Sequence, residues 1–382
     1  MMNSPRIYLD NAATTPLNPE VLEAMLPIMQ EHFGNPSSSH AHGRKVKGII
    51  EDARGKIAKL LGCSPGEICF TSGGTEADNL ALRGSVNSLG IKRIITSPIE
   101  HHAVIHTAED LAHAGLVELV LLDVNEKGEI NLNQLADLLQ NPIPTLVSLM
   151  HANNEIGTMI NIQEVGELCH RHSALFHCDT VQTMGHFSFD LSQGYVDFLA
   201  AAAHKFNGPK GIGFIYINRK NKLTPEITGG AQEREMRGGT ENVYGIVGLA
   251  KALEISYRDI EAKKSHIQNL KNTMIQLLQE NIPGIEFNGN PHGDSLYTVL
   301  SVSLPPNEAG SMLLFNLDLA GISASGGSAC SSGAVGGSHV INACKPGTNR
   351  TTIRFSFGKQ NSVEDIKYTV ENLAKWYAVE TA

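Results

Sequence analysis

The chain has 382 residues, 41% of them hydrophobic, enough for a substantial core and too many for one small domain. Its net charge of -9 comes from 39 acidic against 30 basic side chains, with no basic block and no aromatic-basic interleaving, which argues against a nucleic-acid partner. The opening Met1-Met2-Asn3-Ser4-Pro5-Arg6 lacks the apolar core of a signal peptide and no later apolar run is long enough for a bilayer, so a soluble, cytoplasmic protein is expected.

From about residue 50 to residue 220, short apolar runs alternate with amphipathic stretches. The runs Ile68–Thr71, Arg93–Thr96, 117–122, Thr145–Met150, 174–178, 196–201 and Gly213–Ile217 predict seven strands. Strands separated by helices predict an α/β fold with a mostly parallel sheet covered on both faces. A long helical pattern follows, with apolar residues from Ile246 to Leu277 and a stop at Pro283-Gly284. Beyond it, strand patterns at 300–304 and 352–356 and a helix over 309–319 suggest a smaller α+β domain. The tract 323–338 is dominated by glycine, serine and alanine and reads as a mobile surface loop.

Ligands of such sheets gather at the carboxyl ends of the strands, and polar clusters sit at those ends. Ser72-Gly73-Gly74-Thr75 offers backbone amides, a helix N-terminus and a hydroxyl to a compact phosphate, although an ordinary capped turn has the same look. Asp179 and Gln182 follow a strand, where a carboxylate can reach a ring nitrogen and an amide a ring hydroxyl; a helix N-cap is the plainer alternative. Lys205, after another buried run, offers an amine for a Schiff base, whereas most such lysines reach solvent. Together, Lys205 and Asp179 are what a pyridoxal-phosphate enzyme requires.

The six cysteines, Cys63, Cys69, Cys169, Cys178, Cys330 and Cys344, have no disulfide-framework spacing, and most read as small buried apolar residues. Cys330, within Ser325-Gly326-Gly327-Ser328-Ala329-Cys330-Ser331-Ser332-Gly333, is the best candidate nucleophile. The group Cys169, His170, His172, His177 and Cys178 matches no standard zinc spacing, and no metal is expected. Arg354, on a strand-like run, could clamp a carboxylate through two parallel hydrogen bonds or form a surface ion pair. His101 has the imidazole to stack on a flat ring and move protons; from spacing alone, His102 beside it is an equal choice.

These segments resemble the cysteine desulfurases, fold-type I pyridoxal-phosphate enzymes of the class V aminotransferase group. The resemblance rests on Tyr8-Leu9-Asp10-Asn11-Ala12-Ala13-Thr14-Thr15-Pro16, Gly34-Asn35-Pro36-Ser37-Ser38, 70–80, 100–104, 153–158, 179–182, 204–211, Arg237-Gly238-Gly239-Thr240-Glu241-Asn242 and 327–333, spread over nearly the whole chain. It implies a large cofactor-binding domain over 16–260 with a seven-stranded sheet, and a small domain from 1–15 and 261–382 carrying a cysteine loop at about 323–347. It further implies that Lys205 holds pyridoxal 5'-phosphate as a Schiff base, that Asp179 pairs with the ring nitrogen, that Gln182 faces the ring hydroxyl and that His101 stacks on the ring. Gly74, Thr75 and His204 would hold the phosphate, with Thr240 from the partner subunit of a homodimer. Asn154 and Arg354 would receive the carboxylate of L-cysteine, and Cys330 would take its sulfur as a persulfide, leaving L-alanine.

The expected destination of that sulfur is an acceptor protein such as an iron-sulfur scaffold, or other thiolation. Within the same fold the alternatives are a selenocysteine lyase, a cysteine sulfinate desulfinase or a cysteine/cystine β-lyase; outside it, a non-catalytic sulfur-transfer scaffold. Two departures stand out. Ala202 occupies a position where the family usually has a phosphate-binding serine, and the stretch after Cys330 is shorter and richer in glycine than in many long-loop members.

Overall fold

The computed structural model describes residues 6–307, 310, 312–326 and 338–377. Its strands are β1 (Ile7–Tyr8), β2 (Ile68–Thr71), β3 (Arg93–Thr96), β4 (Glu118–Leu121), β5 (Thr145–Met150), β6 (Leu175–Asp179), β7 (Phe198–Ala202), β8 (Gly213–Ile217), β9 (Glu286–Asn288), β10 (Val299–Leu304), β11 (Ile322–Ser323) and β12 (Thr351–Ser356). Its helices are α1 (Pro19–Glu31), α2 (Ala41–Leu61), α3 (Gly74–Leu89), α4 (His102–His113), α5 (Leu132–Leu139), α6 (Ile162–Arg171), α7 (Val243–Arg258), α8 (Ile260–Asn281), α9 (Leu313–Leu319), α10 (His339–Cys344) and α11 (Val363–Tyr377).

All seven runs read as strands form one sheet in the order β2-β8-β7-β6-β5-β3-β4. It is parallel except at β8, which runs antiparallel to both β2 and β7. Every residue of β5 and β7 is buried, as expected of strands covered on both faces, and separate apolar clusters lie on the two sides of the sheet. Because β3, β5, β6 and β7 are parallel, their carboxyl ends emerge along one edge. Asp179 is the last residue of β6 and Ala202 the last of β7.

A second core packs α8 and α11 against the antiparallel sheet β12-β10-β9, with Leu270, Met274, Val302, Phe355 and Leu373 all buried. The helical pattern expected to run unbroken from Ile246 to Leu277 is two helices. Asp259 leaves helical geometry at φ -110° and ψ 15°, and the Arg258 guanidinium bonds both to it and to Glu20. The reading of 323–338 as a loop also changes at its start: Ile322 and Ser323 pair in parallel with β1, and Ser325 bridges to Arg354. Residues 327–337 lie outside the described residues, as do 308, 309 and 311 at the start of the helix expected over 309–319. Among the described residues, no helix is long and apolar enough to cross a membrane.

One surface segment is held by a buried charge. Glu233 accepts Arg54 Nη1 and Nη2, each at 2.8 Å, and the Phe70 amide at 2.8 Å. Both carboxylate oxygens are thereby satisfied, which makes a buried ion pair tolerable. The anchored turn is strained: Glu233, Arg234 and Glu235 have φ of 46°, 57° and 67°, in the left-handed region that L side chains disfavour. Glu235 is exposed. Glu235→Gly is therefore expected to stabilise the chain by about 1 kcal/mol, net of the entropy glycine adds to the unfolded state. Urea unfolding with an unchanged slope and a higher midpoint would support this; a lower midpoint would count against strain at Glu235.

Candidate functional site

A cavity of about 210 Å³ opens where the strand ends meet the N-terminal segment, and it gathers most of the residues singled out in the sequence. Gly74, Thr75, His101, Asn154, Asp179, Gln182, His204, Lys205 and Arg354 all line it, joined by Ala202. Thr240 does not. It sits on a separate pocket of about 180 Å³ beside Ser72 and Arg237. Cys330 lies outside the described residues.

Lys205 ends a short 3-10 turn after β7, and its Nζ donates to Ala12 O at 2.6 Å and Ala13 O at 3.0 Å. Gln182 Nε2 donates to the same Ala12 carbonyl at 3.0 Å. The turn is fastened by Thr15, whose hydroxyl donates to His204 O at 2.8 Å and accepts the Asn207 amide at 2.8 Å. His204 Nδ1 meets Thr14 Oγ1 at 3.1 Å.

The electrostatics of the cavity favour neutral groups. Burial, reinforced by the Asp78 carboxyl, pushes Asp179 up to about 7 despite the Val181 amide donating to its Oδ1 at 2.8 Å. Asp78, buried on α3, is pushed up to about 8 by burial alone. Its Oδ1 lies 3.4 Å from the buried Nε2 of His177, and neither atom has a hydrogen bond. Burial and the nearby Lys205 ammonium drive His101 down to about 4, while its Nδ1 accepts the Ala103 amide at 3.1 Å as the N-cap of α4. That bond leaves Nε2 as the ring nitrogen for a ligand. Of the two adjacent histidines it is His101 that lines the cavity; His102 stacks instead on His106, with centroids 4.6 Å apart.

Arg354, 2% exposed, is neither a surface ion pair nor loose. Nη2 bonds Asp10 Oδ1 at 2.8 Å and Nη1 donates to the Asn154 carbonyl at 2.9 Å, while the buried Nε has no partner. Ser325 Oγ donates to the same Asp10 oxygen at 2.8 Å.

This donor set fits a flat, phosphorylated pyridine aldehyde. The start of α3 has no side-chain cap, so its amides are available to an anion, and a Cβ at Gly74 would come within 2.5 Å of Val181 Cγ2, which leaves the cradle to a residue without one. A buried carboxylate at the opposite end suits a protonated ring nitrogen, and an amine lies within the same cavity. The described cysteines make poor nucleophiles by comparison. Burial pushes Cys63 and Cys169 up to about 12 and Cys344 to about 11, and raises Cys69 and Cys178 further.

Sequence reasoning missed Asp10, Thr14, Thr15 and Asp78 as site residues. The first three lie in the quoted segment Tyr8–Pro16, which carried a resemblance without an assigned role. Asp78 lies four residues after Gly74, one turn along α3, so helical spacing was the available signal.

Comparison with known proteins agrees with this geometry. Residues 7–369 match the family model for aminotransferase class-V. The chain is 42% identical over 375 residues to the putative cysteine desulfurase IscS 1 of Bacillus subtilis (strain 168), covering 97% of this chain and 98% of that relative. It is similar in structure to a NifS-like protein, with TM-score 0.89 and 36% identity over 97% of this chain and 99% of the other. SspA in complex with cysteine aligns with TM-score 0.78 and 30% identity, over 93% and 100% of the two chains.

The raised Asp179 carboxyl gives a pH signature. Its folded value, about 7, lies above the ordinary 3.8, so its contribution to stability is fully present below about pH 4 and is lost as pH rises through 7. In Asp179→Asn that titration is gone. Urea unfolding of the cofactor-free chains should show the variant gaining on the wild type from pH 4 to pH 7; a pH-independent difference would refute the buried, raised carboxyl.

Proposed function

The chain belongs to the class V aminotransferase family, and we propose that it is a cysteine desulfurase that uses pyridoxal 5'-phosphate to convert L-cysteine to L-alanine, with the sulfur passing to Cys330. The observation that carries this reading is the convergence of Lys205, Asp179, Gln182, His101 and Arg354 on one cavity. The names of the relatives point the same way, and SspA, of the same fold, was solved with cysteine.

Pyridoxal phosphate, when bound, supplies an electron sink for bonds broken at the substrate's Cα. Lys205 would hold it through Nζ and, when its amine is free, would serve as the base for the substrate's Cα proton. Asp179 would pair with the ring nitrogen and keep it protonated, and the positive charge there would in turn favour the carboxylate form of Asp179. Gln182, whose amide donates to Ala12 O, would face the ring hydroxyl. His101, neutral at pH 7 because burial holds it at about 4, would stack on the ring and, with Nδ1 accepting the Ala103 amide, present Nε2 as an N–H donor.

Gly74, Thr75 and His204 would hold the phosphate, together with Thr240 of a second copy in a homodimer. The position of Thr240 away from its own chain's cavity supports that exchange. Asn154 and the unpartnered Nε edge of Arg354 receive the substrate carboxylate. The Cys330 thiolate attacks the substrate sulfur; an S–S bond forms, the Cβ–S bond breaks, and its electron pair goes to the carbon side, which protonation converts to alanine. The resulting persulfide passes to an acceptor protein, such as an iron-sulfur scaffold.

Lys205→Ala should lose the Schiff-base absorption of the wild type and about 10²-fold or more of its turnover. Cys330→Ser should keep the absorption, show no sulfur adduct by mass spectrometry after incubation with L-cysteine, and make little alanine. Undiminished alanine from Cys330→Ser would remove Cys330 from the mechanism.

A further inference from the structure

Among the described residues lining the cavity, only Lys205 and Arg354 carry cationic side chains. Gly74, Thr75, Ala202 and His204 form the end proposed for phosphate, and His204 is neutral at pH 7, driven down to about 4 by burial and by Lys205 and Lys210. Ala202 brings no hydroxyl. A dianion placed there depends on the amides at the start of α3 and on other neutral donors.

In that setting a carboxylate in the first turn of α3 is a liability, and Glu76 is one, next in sequence to the two residues that face the cavity. Its side chain is only 14% exposed. It is also fully engaged. Arg237 Nε donates to Oε1 at 3.0 Å and Nη2 to Oε2 at 3.4 Å, and the Ser72 amide donates to Oε2 at 2.8 Å. Burial opposes the charge, but the bonds from Arg237 and Ser72 outweigh it and hold the carboxyl below its usual range.

We propose that Arg237 is a positioning residue for the cofactor's phosphate: its forked pairing with Glu76 cancels a negative charge at the amide end of α3 and fixes the Ser72-Gly73-Gly74 turn, so that the cavity accepts a dianion. This rests on the cofactor reading above. The same pair ties α3 to the segment that presents Thr240, three residues after Arg237. Removing the guanidinium leaves the Glu76 carboxylate uncompensated, partly buried and next in sequence to Thr75, where its charge should cost a bound dianion about tenfold or more in affinity.

The test titrates cofactor-free enzyme with pyridoxal phosphate and, separately, with pyridoxal, which has the aldehyde and ring but no phosphate, reading Schiff-base absorbance. Arg237→Gln should weaken pyridoxal phosphate about tenfold or more and pyridoxal by less than about twofold. Adding Glu76→Gln to Arg237→Gln should return pyridoxal phosphate to within about threefold of the wild type, because the charge left exposed is gone. Equal losses for both compounds, or a double variant no better than Arg237→Gln, would overturn the proposal. A wild type that forms a Schiff base with neither compound would instead sink the cofactor reading beneath it.

Discussion

The strap from Asp10 to Pro16 is the constraint on which the site depends. At one end it is bound to the small sheet, with Ala12 N donating to Ser356 Oγ at 2.8 Å and Asn11 Nδ2 to Ser356 O at 2.9 Å. At the other end Thr15 grips the turn that carries His204 and Lys205. Between them, Ala12 and Ala13 turn their carbonyls to Lys205 and Gln182, and Asp10 holds Arg354. The strap thereby ties the sheet that carries Arg354 to the turn that carries Lys205, and both residues line the cavity.

The second organising fact is dielectric. Inside this cavity burial disfavours the charged forms of four groups: Asp78 and Asp179 are raised, His101 and His204 lowered. Asp78 and Asp179 are thus harder to ionise than in water, and the two histidines are neutral at pH 7. Such preorganisation is inexpensive for the fold, because neutral buried groups need only hydrogen bonds, whereas ionised ones need counter-charges. Where the fold does bury charge outright, at Arg54 and Glu233, every carboxylate oxygen is bonded.

Much of this was legible in the sequence because it is local. Seven strands could be read from short apolar runs, with errors of one or two residues at their ends; Asp179 belongs to β6 and Ala202 to β7, where the runs were expected to stop at 178 and 201. Lys205, Asp179 and the Gly74 turn were visible because parallel strands deliver their ends to one edge. The break at Asp259 was hidden, since apolar spacing continues through it and only the side-chain bonds of Arg258 mark it. The strap was hidden more deeply. Its bonds span 170 to 345 residues and many use backbone carbonyls, which carry no sequence signature. Asp10 was quoted in a motif, but nothing in its neighbours points to Arg354.

The strap's long reach also sets an order of events during synthesis. Asp10 and Ala12 are made more than 340 residues before Arg354 and Ser356, which fix them. The seven-stranded sheet can form as soon as β8 is made, yet a nascent chain at that stage has no fixed wall opposite Lys205. Any ligand it captured then would meet an open cleft. The bonds that hold the strap on this side wait for β12 to emerge from the ribosome, so a chain stalled before residue 351 could form its larger sheet and still lack Arg354 and Ser356 beside the cavity.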